Sequence, residues 1–180
     1  MRKISNIIIE PQSELLTIKK HRNTIRGIVI KNNQILMVYS KKFNDYTFPG
    51  GGIKDNESHL DTLKRELKEE VGALEIENIN PYGFIEEKRF GIKGTNSVYL
   101  QTSYYYLLEI SKYGTQDLIK RELAQGLTPK WITPKEAIKI NKKQMKNNIN
   151  VLGMQTVLIR ENIILKDILK NIMKEENKNA

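Results

Sequence analysis

Three glutamates, Glu66, Glu69 and Glu70, crowd into five residues of the run KRELKEEVGA, and Pro49 followed by three glycines, Gly50 to Gly52, lies just upstream. Carboxylates spaced three or four residues apart on a helix repel, at roughly 0.2–0.5 kcal/mol per pair. A divalent cation would reverse that cost, because a hard ion such as magnesium takes oxygen ligands and favours several carboxylates in one place. Neither feature is distinctive alone. KRELKEE resembles an ordinary solvated helix face, with Arg65 and Glu69 as an i,i+4 pair, and glycines before a helix often mark only a turn. The loop also fails the phosphate-loop and dinucleotide patterns, since no Gly-Lys-Ser/Thr follows it.

The elements around these residues are set by local signals. Ser58 reads as a helix N-cap with Asp61 as its capping-box partner, and the helix is expected to end at Val71 because Gly72 can adopt the left-handed cap conformation. At 100° per residue, Leu60, Leu63, Leu67 and Val71 fall within an arc of about 80°, and the three glutamates fill a separate arc of about 100°. The spacing predicts a helix that packs through one side and gathers acid on the next.

Upstream, residues 3–20 read as a hairpin of two short strands turning at Pro11-Gln12-Ser13. TIRGIVIKNNQILMVYS reads as a second hairpin around Asn32-Asn33. Downstream, strands are expected at about 79–88 and 98–110, and a short helix at 115–124. Thr133-Pro134-Lys135-Glu136 forms a further capping box. Helical spacing runs from about 150 to 174. Strands followed by helices in this order argue for a mixed α/β fold of the α+β type, with helices packed on a sheet, in a single domain spanning 1–180.

The 180 residues are 39% hydrophobic, enough for one real core, and there is no cysteine, which excludes disulfides and thiolate metal sites. No apolar run approaches the roughly 18 residues of a membrane span, and a cytoplasmic location is the default expectation. The net charge of +9, from 30 basic against 21 acidic residues, favours anionic partners, nucleotides or RNA among them, although scattered lysines would give the same total.

Taken together, loop and helix resemble the Nudix hydrolase family, whose signature is Gly-x5-Glu-x7-Arg-Glu-U-x-Glu-Glu-x-Gly-U, with U a bulky aliphatic residue. The pattern falls on Gly51, Glu57, Arg65, Glu66, Leu67, Glu69, Glu70, Gly72 and Ala73, and only Ala73, smaller than usual, departs from it. The resemblance implies a Nudix-like mixed sheet sandwiched by helices. It places Glu66, Glu69 and Glu70, with the Gly50 carbonyl, as ligands of Mg2+, with Mn2+ as an alternative ion. It also implies an ion pair between Glu57 and Arg65 that braces loop against helix.

The implied reaction is hydrolysis of a phosphoanhydride in a nucleoside diphosphate linked to another group. The general base would be a helix glutamate or a later one, Glu122 or else Glu86 or Glu87. Competing functions are pyrophosphate removal from RNA 5′ ends and a non-catalytic nucleotide- or RNA-sensing module on the same fold. Retention of all three glutamates argues against the last. Members of the family are often dimers, so a homodimer is an open expectation. His21, His59 and the aromatic residues Tyr46, Phe90 and Trp131 fit surface or core roles better than ligand or base-stacking roles. Tyr104, Tyr105 and Tyr106 should alternate across a strand.

Overall fold

The computed structural model describes residues 1–91, 97–147 and 153–173. In chain order it contains β1 (Arg2–Lys3), β2 (Ile8–Ile9), β3 (Ile18–Ile28), β4 (Ile30–Lys31), β5 (Gln34–Ser40), β6 (Asp45–Thr47), β7 (Gly50–Gly52), α1 (His59–Val71), β8 (Ala73–Phe90), β9 (Val98–Tyr113), α2 (Lys120–Gln125), β10 (Leu127–Ile132), α3 (Pro134–Asn147) and α4 (Gln155–Asn171). The fold is α+β. One sheet runs β1-β8-β9-β3-β7, with β2 also on β8, and the other runs β10-β5-β4, with β6 on β5.

Helices cover both faces. Ile25, Val29, Leu36, Val38 and Leu108 pack with Leu63, Leu67 and Val71 of α1. Ile28, Ile35, Met37, Ile85 and Tyr105 pack with Ala137 of α3 and Ile164, Leu165 and Ile168 of α4. Strand β5 explains how one strand serves both layers. Its run Ile35-Leu36-Met37-Val38 is apolar at every position, so alternate side chains enter opposite cores. Burial of Leu63 and Leu67, each contributing roughly 1.5–3 kcal/mol, fastens α1 to the sheet. Leu60 does not join them; it is 43% exposed in the first turn of α1.

The local signals hold where they are local. Ser58 and Asp61 form the reciprocal capping box, and Gly72 ends α1 at φ 71°. Asn32 and Asn33 both have positive φ, 50° and 59°, as a tight turn between β4 and β5 requires. Thr133 and Glu136 cap α3 reciprocally. Tyr105 enters one core, and Tyr104 and Tyr106 point to the other face. The short helix is confined to 120–125, and α4 occupies 155–171; the expected helical residues 150–152 and 174 lie outside the described residues.

The N-terminal hairpin does not form. β1 and β2 each pair in parallel with β8, at Arg2↔Gly83 and Ile8↔Glu87, and β3 pairs with β9 and β7 instead. Glu10 accounts for the difference: its fully buried carboxylate accepts the N–H groups of Phe90 and Gly153, tying this segment to the end of β8. Leu15 is left 99% exposed, so the second half of the expected hairpin has no apolar face to bury.

Candidate metal and phosphate site

The glycine loop and α1 meet because β7 pairs with β3 and lays its backbone along the acidic side of the helix. Two glycines make that approach sterically feasible. Gly50 has φ 137°, and a Cβ there would sit 2.1 Å from the Ile25 carbonyl oxygen. A Cβ on Gly51 would lie 2.3 Å from Glu66 Oε1, so the Glu66 carboxylate rests on bare backbone.

Glu70 is 8% exposed, and its Oε2 accepts the Gly50 N–H at 2.7 Å. Burial pushes its carboxyl up to about 8; Arg26 and the Gly50 N–H oppose the rise, and Glu66 and Glu122 add to it. Burial and the neighbouring Glu66 raise Glu69 as well.

Arg65 organises the rest. Its Nε and Nη2 donate to the two oxygens of Glu57 at 2.6 and 2.8 Å. Nη2 also reaches the Gly52 carbonyl at 3.2 Å, and Nη1 donates to Glu66 at 2.6 Å and Glu69 at 3.3 Å. This guanidinium holds the Glu57 carboxyl down at about 2, and Lys54 N and Thr62 Oγ1 also donate to Glu57. The pair thus joins loop, helix and acidic cluster through one planar group.

The donor chemistry suits a hard cation: oxygen atoms only, with one carboxylate so deeply placed that its charge is costly without a counter-ion. Among the described residues, no three such side chains already converge on one point. Arg65 holds Glu66 and Glu69, and the Gly50 N–H holds Glu70. The Gly50 carbonyl accepts a short hydrogen bond from Arg26 Nη1.

Residues 114–119 dock on the other end of α1. Gln116 Nε2 donates to the Glu70 carbonyl at 2.6 Å, and Asp117 N donates to the Glu69 carbonyl at 3.0 Å. This contact brings α2 toward the cluster, and Glu122, 4% exposed, contributes to the field at both Glu69 and Glu70. Its Oε2 accepts the Ile119 N–H at 3.1 Å.

The other acidic residues considered as the base stand elsewhere. Glu86 pairs with Lys3 at 2.6 Å. Glu87 is fully buried against Arg160, also at 2.6 Å; burial opposes its charge, but Arg160 and Arg89 outweigh burial and hold the carboxyl low.

His59 Nδ1 lies 2.7 Å from Tyr106 Oη, and its ring packs on Tyr104. Burial lowers its pKa. His21 is exposed on β3, Tyr46 packs on Tyr39, Phe90 is 8% exposed and Trp131 sits on β10 beside Leu36.

Sequence reasoning missed two bracing residues. Arg26 Nη1 donates to the Phe48 carbonyl at 3.0 Å as well as to Gly50, and Glu161 Oε2 accepts the Phe48 N–H at 3.1 Å. Arg26 is a lone charge inside an otherwise apolar run, TIRGIVI, and Glu161 belongs to the short polar stretch Arg160-Glu161-Asn162 between apolar residues of VLIRENIIL; those interruptions are the signal that marks them.

An acidic helix buttressed by a glycine loop, with helices packed on both faces of the sheet layer, is the arrangement the fold presents. Residues 20–152 match the NUDIX domain model, and the chain belongs to that family. Members generally use divalent metal ions. The chain is 44% identical over 57 residues to an 8-oxo-dGTP diphosphatase of Buchnera aphidicola subsp. Schizaphis graminum, covering 29% of this chain and 44% of that one. It is 30% identical over 113 residues to an RNA pyrophosphohydrolase of Nitratiruptor sp., covering 58% and 73% respectively. Among solved structures it is similar to a NUDIX hydrolase from Nitrosomonas europaea, at 13% identity and TM-score 0.49 over 78% of this chain and 86% of that one. The chain thus spans less than half the length of the first of these relatives. No described helix is long and apolar enough to cross a membrane.

Proposed function

We propose that the chain hydrolyses a phosphoanhydride in a nucleoside diphosphate linked to another moiety, with Mg2+ or Mn2+ held by Glu66, Glu69 and Glu70. The observation that carries this reading is Glu70, a buried carboxyl at the mouth of a glycine loop, held by the Gly50 N–H and in need of positive charge to ionise. Bound there, a divalent ion would offset charge on the bridging phosphate oxygens and lower the pKa of an attacking water.

The chain's own residues supply position and proton transfer. Gly50 and Gly51 let the backbone approach the carboxylates, and Arg65 fixes two of them through Glu57 and Gly52. A glutamate then accepts the water proton. In this reading the acceptor is a helix glutamate, Glu69, or Glu122 on the excursion docked against the helix. The family match and the pyrophosphohydrolase relatives support reading the chain as a hydrolase of phosphoanhydrides acting on a nucleotide or on RNA.

The test is product release over a panel of sugar nucleotides, dinucleoside polyphosphates, oxidised nucleoside triphosphates and 5′-triphosphorylated RNA, with magnesium, manganese or chelator. Metal-dependent turnover of at least one compound is expected, with a loss of at least about 100-fold in Glu70→Gln, which keeps size and removes charge. An unchanged rate in that variant rejects the site. Saturable binding with no turnover of any compound favours a sensing module.

A further inference from the structure

Helix α3 carries a second concentration of charge, of opposite sign to the acidic helix. Lys135, Lys139, Lys142, Lys143 and Lys146 are all exposed, and at 100° per residue they fall within an arc of about 100°. The opposite side of the helix, Pro134, Ala137, Asn141 and Gln144, is buried. Five pairs of these lysines stand three or four residues apart, and each such pair is mildly destabilising. Glu136, the acid of the first turn, is engaged with the Thr133 hydroxyl and N–H, and none of the five lysines joins an ion pair among the described residues. These five of the chain's 30 basic residues are gathered on one face of one helix.

The spacing suits a linear polyanion. Lys135 to Lys146, twelve residues, span about 16 Å of helix axis, the axial length that about five successive phosphates of one strand occupy in a duplex. A free nucleotide, with two or three phosphates, would leave most of the stripe unused. A membrane surface is a poorer partner, because an interfacial helix inserts an apolar face, and that of α3 already packs on α4 and β6. Asn141 also clamps α3 to Tyr46, accepting its N–H and donating to its carbonyl, both at 2.9 Å, and β6 runs directly on into Pro49 and Gly50.

We infer that the α3 lysine face binds the phosphate backbone of a nucleic acid strand. This extends the RNA arm of the proposed function, but it concerns binding alone and is measured without metal, so its failure and that of the hydrolysis reading are separable.

The experiment is fluorescence anisotropy of a labelled single-stranded RNA of about 20 nucleotides in chelator at several salt concentrations. It compares the full chain with the variant K135Q/K139Q/K142Q/K143Q/K146Q, whose exposed glutamines suit a helix and whose fold is checked by circular dichroism. The parent is expected to bind with Kd in the range of about 1–100 µM. The variant should bind at least about tenfold more weakly, with a slope of log affinity against log salt shallower by about 3. Equal binding of single-stranded DNA supports backbone recognition, as does unchanged hydrolysis of a small nucleotide by the variant. Unchanged affinity and slope in the variant would overturn the inference, as would parent binding to phosphatidylserine vesicles but not to RNA.

Discussion

Arg26 and Glu161 grip the same residue. Arg26 Nη1 donates to the carbonyl of Phe48 and Glu161 Oε2 accepts its N–H, so a β3 side chain and an α4 side chain together fix the peptide leading into Gly50. Because Arg26 also holds the Gly50 carbonyl, Arg26→Met should release the loop from the sheet side only. The expected result is a drop of about 10–100-fold in metal-activated turnover, with weaker metal dependence, and a stability loss of about 1–3 kcal/mol in urea melts. Normal metal activation in a folded Arg26→Met protein would deny this residue a positioning role.

Neighbouring glycines should fail in different ways. Alanine at Gly50 meets backbone, at 2.1 Å from the Ile25 carbonyl and at a φ unfavourable to L residues, and neither obstacle can move without breaking the β3–β7 pairing. Gly50→Ala is therefore expected to cost about 2–4 kcal/mol and to lower the melting temperature by several degrees. Alanine at Gly51 meets only the end of the Glu66 side chain, which can swing away. Gly51→Ala should melt within about 1 kcal/mol of the parent and still lose most of its activity, because the displaced carboxylate is one of the three. Thermal melts and turnover measured side by side separate the two cases.

Arg65→Lys keeps the charge but loses the planar fork. One ammonium cannot serve both Glu57 oxygens, the Gly52 carbonyl, Glu66 and Glu69 together, so the loop and two carboxylates lose their common anchor. Turnover should fall about 10–100-fold, with a higher metal concentration needed for half-activation. Titrating Mg2+ against initial rate gives both quantities, and a parent-like activation curve would contradict the bracing role.

Features that a few adjacent residues decide were legible in the sequence: the Ser58 and Gly72 caps, the Asn32-Asn33 turn, the alternation of Tyr104 to Tyr106 and the grouping of the glutamates. What stayed hidden depends on partners far along the chain. Whether residues 3–20 fold on themselves is settled by Glu10 reaching Phe90 and Gly153, and no local pattern encodes that contact. The apolar stripe of α1 begins at Leu63 and not at Leu60, because the packing surface ends before Leu60. Helical periodicity also separated a packing side from an acidic side, yet Glu66 and Glu70 are as buried as parts of the core, because β7 covers them. Arg160, enclosed by Glu87 and Glu161, is invisible to periodicity, which assigns a charge to the surface by default.

Asp45 gives the fold a measurable pH dependence. It is 3% exposed at the start of β6, and burial, followed by the field of Glu161, pushes its carboxyl from 3.8 up to about 6. Between those values the folded chain binds more protons than the unfolded chain, so this group makes stability fall as pH rises from about 4 to about 6, and the loss persists above. A raised carboxyl is thus the reverse of the depressed Glu57, whose contribution is present above the unfolded carboxyl range and disappears only as pH falls through about 2. Asp45→Asn removes the buried charge at nearly constant volume. At pH 7.5 the variant should be more stable than the parent by about 1–3 kcal/mol, and near pH 4 the difference should vanish. Urea denaturation at several pH values between 4 and 8 reads the difference directly. A gap between the two proteins that stays constant across that range would show that Asp45 is already ionised at little cost in the fold.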